Sequence, residues 1–145
     1  KLREQDRETP RDYVERESHY VWGKRYLLSI VEKDAKPCIE LQHSRILLQV
    51  RPATSDEKKQ ALVEAWYREQ IKKAMPPLIG KWESQLGVKV ERFFVQRMKT
   101  KWGSCSPVTR SIRLNTDLAK KPPHCLEFIV IHEMTHLLEP VAAIS

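Results

Sequence analysis

His132, Glu133 and His136 are the residues of this chain whose types and spacing carry chemistry. They form His-Glu-x-x-His inside the apolar run Ile129-Val130-Ile131-His132-Glu133-Met134-Thr135-His136-Leu137-Leu138. On an α-helix, histidines four positions apart share a face one turn from each other, so their imidazoles can converge on a single ion. Neutral imidazoles suit zinc, and Glu133, one position on from the first histidine, keeps its carboxylate near that ion without facing it squarely. From there it is placed to act as general base on a zinc-activated water and to pass the proton to a leaving group. The competing reading is a core helix whose histidines bond to backbone or carboxylate groups. Burying two imidazoles and a carboxylate among Ile, Val, Met and Leu is costly unless each has a partner, and a metal satisfies them together, which favours the ion.

These residues need a helix and a sheet to hold them. A helix over 123–138 is expected, opened by Pro123, whose missing amide costs nothing in a first turn. Leu126, Phe128, Ile129, Val130, Ile131, Leu137 and Leu138 make it apolar nearly all round, so it is predicted to be the most buried helix, lying against strands over 88–98 and 111–115. The first strand carries Val88, Val90, Phe93, Phe94, Val95 and Met98, and the second, Ser111-Ile112-Arg113-Leu114-Asn115, alternates in and out. The two are expected to pair as a hairpin across a loop, Trp102-Gly103-Ser104-Cys105-Ser106-Pro107. In that loop Trp102 reads as a hydrophobic anchor and Gly103 as a residue in a conformation others avoid. Arg97, or the amides of Trp102, Gly103 and Ser104, are the candidate substrate-binding groups that would stabilise an oxyanion.

Upstream, strands over 25–31, 38–41 and 46–50, punctuated by Glu32-Lys33-Asp34 and Pro37, read as an N-terminal antiparallel β-meander. Thr54-Ser55-Asp56-Glu57 has the form of a capping box, and Ala61, Leu62, Ala65, Trp66, Ile71 and Met75 then recur at helical spacing. Pro76-Pro77 is expected to break or kink that helix, which restarts with Leu78, Trp82 and Leu86 and closes at Gly87. Aromatics at this spacing read as core, not as a platform for stacking bases. Residues 1–18 are polar and unpatterned, an arm that is either solvated or a packing extension, ahead of a single domain over 19–145.

With 145 residues, 31% charged and 41% hydrophobic, the composition is that of a soluble globular protein, and no apolar run approaches the length that spans a bilayer. The charged start lacks the apolar region of a signal peptide, and because it is not a methionine the numbering is expected to begin inside a longer product. Cys38, Cys105 and Cys125 are widely spaced, with no Cys-x-x-Cys pair, which reads as reduced thiols in a cytoplasmic protein. Lys and Arg number 26 against 19 Asp and Glu, a net charge of +7, with Arg92, Arg97, Lys99, Lys101, Arg110 and Arg113 clustered. A solvated basic surface is the plain reading; nucleic acid is the partner the charge also permits.

Met98-Lys99-Thr100-Lys101-Trp102-Gly103-Ser104-Cys105-Ser106, Ile112-Arg113-Leu114-Asn115 and His132-Glu133-Met134-Thr135-His136-Leu137 together resemble the YgjP-like metallopeptidase family, minimal zincins related to SprT-like and WLM proteases. The resemblance runs from the early strands through Trp66-Tyr67-Arg68 to the last helix. It implies an α+β, zincin-like fold, a small mixed sheet packed on helices with an edge strand bordering a cleft. It also implies Zn2+ held by His132 and His136, Glu133 as general base, and a peptide or protein substrate. The family pattern places another histidine about six residues past His136, where this chain has Ala142. Glu139 shares the helix face, but its axial distance of about 10 Å from His132 is too great for both to hold one ion. Either that ligand has been lost here or residues are missing between Pro140 and Val141 and beyond Ser145; the intact Glu133 favours the second.

Two other functions stay open. The family resemblance also permits a metal-dependent nucleoside triphosphate pyrophosphohydrolase, although no glycine loop that would cradle phosphates is present. The third reading is a non-catalytic basic accessory domain that binds nucleic acid, recognisable by binding that weakens steeply with salt.

Overall fold

A computed structural model describes residues 17–138. Its elements are β1 (Ser18–Val21), β2 (Lys24–Glu32), β3 (Cys38–Leu41), β4 (Arg45–Val50), α1 (Asp56–Leu86), β5 (Arg92–Gln96), β6 (Gly103–Ser106), β7 (Ser111–Asn115), a 3-10 segment (Thr116–Lys120) and α2 (Pro123–Thr135), which runs into a second 3-10 turn (His136–Leu138). The fold is mixed α+β, with two helices and two small mixed sheets. The chain forms two compact units, Lys1–His19 with Arg25–Ala65, and Tyr20–Lys24 with Trp66–Ser145. Most of the expected arm over 1–18 lies outside the described residues.

In the first unit the strands do not form a meander. The four-stranded sheet has the order β1-β2-β4-β3. β2 and β4 run parallel, with Leu28 opposite Ile46 and Ile30 opposite Leu48, and β3 is antiparallel to β4. Burial explains the order. β4 buries Ile46, Leu48 and Val50 in strict alternation, whereas β3 exposes Cys38, Glu40 and Leu41. The more apolar strand takes the interior of the sheet and the more polar one its edge, where unpaired backbone groups stay hydrated.

The second unit repeats that arrangement. Its sheet has the order β5-β7-β6, with β5 and β7 parallel and β6 antiparallel to β7. Two expectations are corrected here. The stretch read as a loop contains strand β6, and the strands read as a hairpin pair in parallel instead. β7 buries Ser111, Ile112, Leu114 and Asn115, so it belongs in the middle, and the turn over 107–110 folds β6 against it.

Helix α1 runs unbroken for 31 residues with Pro76 and Pro77 inside it. Prolines remove helix hydrogen bonds and crowd the preceding turn. Here both sit on the exposed side, and the buried row Val63, Tyr67, Ile71 and Met75 passes without interruption up to the proline pair. Packing along that row holds the helix through positions where local preference would end it. Ala61 and Ala65, expected on the apolar face, are exposed. The N-terminal cap is Ser55, whose Oγ accepts from the Lys58 amide at 3.2 Å, while Thr54 Oγ1 donates to the Arg51 carbonyl at 2.6 Å. Gly87 ends the helix at φ +70, as its position after the last apolar residue predicts.

Helix α2 packs on β6 and β7. Its buried row is Leu126, Val130 and Met134, four residues apart, and Leu137 continues it past the helix end. Of the two helices α2 has the larger buried share, as expected, but its apolar side chains do not all face the core: Phe128 is 66% exposed, and Leu138, just past the helix, 53%. The sheet covers one face of this helix, and Phe128 lies on another. The 3-10 segment ahead of α2 is held by the turn at Trp22-Gly23, whose amides donate to the carbonyls of Ala119 (2.7 Å) and Lys120 (3.1 Å). Cys38, Cys105 and Cys125 are free thiols. Among the described residues no helix is long and apolar enough to cross a membrane.

Candidate functional site

Steps of four residues sort the side chains of α2 into rows. His124, Phe128, His132 and His136 form an exposed row, and Leu126, Val130 and Met134 the buried one. Between them run Cys125, Ile129 and Glu133, the last of which is buried. The rings of His132 and His136 stand with centroids 5.2 Å apart at an interplanar angle of 87°. Two imidazoles bound through nitrogen to one tetrahedral ion at about 2 Å bring their ring centres to about 5 Å, a separation this pair matches. Both imidazoles are exposed, so the cost of burial invoked from the sequence applies to Glu133 alone. Among the described residues no set of three His, Cys, Asp or Glu side chains is placed to hold a metal. Glu139 and Ala142 lie outside the described residues.

Glu133 sits with its carboxyl largely withdrawn from water. Desolvation pushes its pKa above the usual carboxylate range, and the charges of His132, His136 and Lys101 pull the other way. Its neighbour across the interface is Gly103. A methyl group there would stand 2.8 Å from Ile129 Cγ2, 3.1 Å from the Arg113 carbonyl oxygen and 3.2 Å from Glu133 Cγ. The glycine is therefore needed for close approach of β6 to α2. Positive φ is not the reason, since Gly23 and Gly87 are the glycines that adopt it.

The other residues singled out from the sequence distribute around this contact. Trp102 is 43% exposed, with Lys121 Nζ 5.6 Å from its ring centroid. Ser104 follows Gly103 on β6, and strand alternation turns it to the opposite face. Cys105 returns to the face of Gly103, where burial and the Glu133 charge raise its thiol pKa against the pull of Arg110. Arg97 lies just past the end of β5, exposed, and the lysine that acts on Glu133 is Lys101.

The family model of the YgjP-like metallopeptidase domain matches residues 1–141. The chain belongs to the YgjP-like metallopeptidase family. Comparisons with curated proteins and with solved structures gave no match. Membership in a metallopeptidase family implies a metal, usually zinc, and hydrolytic chemistry.

In this YgjP-like chain, sequence reasoning missed the part played by Asn115. Its buried Nδ2 donates to the carbonyls of Met98 (2.9 Å) and Lys101 (2.8 Å), and its Oδ1 accepts from the Asp117 amide at 3.0 Å. Its own amide donates to the Trp102 carbonyl at 3.0 Å. One side chain thus fixes the segment that delivers Lys101, Trp102 and Gly103 to α2. The signal available in the sequence was an asparagine ending an alternating strand, a place where a polar side chain must find backbone partners or remain unsatisfied. Lys101 was visible only as one basic residue among several.

Proposed function

We propose that this chain is a zinc-dependent hydrolase of peptide bonds, with His132 and His136 holding the metal and Glu133 acting as general base. The observation that carries the reading is the pair of imidazoles 5.2 Å apart beside a buried carboxyl, in a chain of a metallopeptidase family. Zinc, when bound, lowers the pKa of a water and polarises a carbonyl. Everything else falls to the chain. A carboxylate short of water has a raised proton affinity, which suits Glu133 to take a proton from the attacking water and release it to the leaving amine nitrogen. The charges of His132, His136 and Lys101 offset part of that rise. Strand β6, an edge strand with β7 as its neighbour, supports an extended peptide as the substrate, since such a chain can add to a sheet edge through its backbone.

The test is metal content followed by turnover. The purified protein is expected to hold about one zinc per chain and to cleave unstructured polypeptides in a Glu133-dependent manner. Cleavage of nucleoside triphosphates alone would overturn the reading in favour of a pyrophosphohydrolase. A zinc-loaded protein that turns over neither substrate, yet binds DNA with a steep salt dependence, would overturn it in favour of an accessory domain.

A further inference from the structure

A cavity of about 420 Å³ opens beside α2, just before the histidine pair. Trp102, Leu118, Cys125, Phe128 and Ile129 give it apolar walls, and Lys121 and His124 are its polar lining. Among the described residues no acidic side chain lines it. Its position relative to the reacting groups follows from helix geometry. Phe128 precedes His132 by one turn in the exposed row, about 6 Å along the axis. Ile129 precedes Glu133 by the same step, and its Cγ2 faces Gly103 together with Glu133 Cγ. The cavity and the general base therefore share a wall.

Exposed apolar side chains are ordinary when scattered singly. Phe128 and Trp102 are exposed and line one concavity, which is the pattern of a binding site. The volume is near the lower end of the roughly 300–1,000 Å³ of small-ligand sites, right for one large side chain with its backbone and too small for a folded segment. Side chains of an extended peptide alternate between faces, so a chain added to the edge of β6 sends every second one toward α2, as Gly103 is sent. Lys121 sets the charge at this end of the site.

We propose that this cavity is the specificity pocket of the hydrolase, taking a large apolar side chain such as Phe, Leu or Met that flanks the scissile bond on the side away from His136, with an acidic residue preferred beside it through Lys121. The inference rests on the peptide-hydrolase reading, and binding separates the two. Labelled unstructured peptides that differ at one central position, Phe or Ala, are titrated into zinc-loaded Glu133→Gln protein and followed by fluorescence anisotropy, and the same peptides are digested with the parent. The Phe peptide is expected to bind roughly 10- to 100-fold more tightly and to be cut next to the phenylalanine. Phe128→Ala removes a largely exposed ring and is expected to abolish the preference. Lys121→Glu is expected to invert the preference for an acidic neighbour and serves if Phe128→Ala proves unstable in a thermal melt. Equal affinity for the two peptides, or a preference that survives Phe128→Ala in folded protein, overturns the pocket. Cleavage without apolar preference overturns the pocket and leaves the hydrolase. A Phe128-dependent preference in binding with no cleavage by the parent keeps the pocket and overturns the hydrolase.

Discussion

Gly103 on β6 and Glu133 on α2 lie so close that a methyl group on the glycine would come within 3.2 Å of the glutamate Cγ. The same methyl would press on Ile129 Cγ2 at 2.8 Å and on the Arg113 carbonyl oxygen at 3.1 Å, and that oxygen belongs to the central strand and has little freedom to move. Gly103→Ala is therefore expected to destabilise the protein by about 1–3 kcal/mol, the usual range for overpacking. The checks are a melting temperature lower by several degrees and reduced turnover as Glu133 is displaced. A variant with the parent's melting temperature would mean that β6 has room to retreat.

Asn115→Ala removes donors to the Met98 and Lys101 carbonyls from a buried position. Leaving such groups without partners costs about 1–3 kcal/mol. Amide exchange is expected to quicken over residues 98–102 before it does in the helices. Asn115→Asp keeps the shape and the acceptor to the Asp117 amide but turns an oxygen on two carbonyls, so it is expected to be no more stable than the alanine variant. Parent-like stability for the aspartate would contradict this account of the segment.

Glu133→Gln preserves shape and leaves both imidazoles in place, so zinc content measured by mass spectrometry is expected to match the parent while turnover falls by roughly two to four orders of magnitude. His136→Ala takes away a proposed ligand and is expected to lose metal and turnover together. A glutamine variant as active as the parent would remove Glu133 from the mechanism.

Glu127 on α2 accepts from Lys81 Nζ at 2.9 Å and from Trp82 Nε1 at 2.8 Å, both on α1. The Lys81 and Trp82 hydrogen bonds hold its carboxyl below the usual range. A depressed pKa stabilises the fold above the unfolded-state value and loses that contribution as pH falls through the folded value. Glu127→Gln is therefore expected to unfold at lower denaturant concentration than the parent at pH 7. The gap is expected to close below about pH 4 and to narrow with added salt. An undiminished gap at pH 3 would assign the effect to packing of Trp82.

The spacing of His132 and His136 needed no tertiary information, because residues four apart share a face on a helix, which lets their rings stand 5.2 Å apart. The bounds of β3 at Cys38–Leu41 and of β7 at Ser111–Asn115, and the cap at Gly87, were legible for similar reasons, being set by turn residues and alternation over a few positions.

Strand order was not legible, because neighbours in a sheet are chosen by comparing strands with one another. β4 and β7 became central because they bury more than β3 and β6, and each drew its antiparallel partner to an edge. β6 itself, Gly-Ser-Cys-Ser, has weak strand preference and is extended because β7 pairs with it. The proline pair in α1 reads as a break until the buried row leading up to it is seen to hold the helix. The faces of α2 were beyond an apolar run to assign, since exposure of Phe128 and burial of Glu133 depend on one sheet covering one side. The environment of Glu133 was set the same way. Lys101 and Gly103 reach it because Asn115 fixes their segment to β7 and β7 packs under α2, a chain of contacts between residues far apart in sequence, which only the folded arrangement brings together.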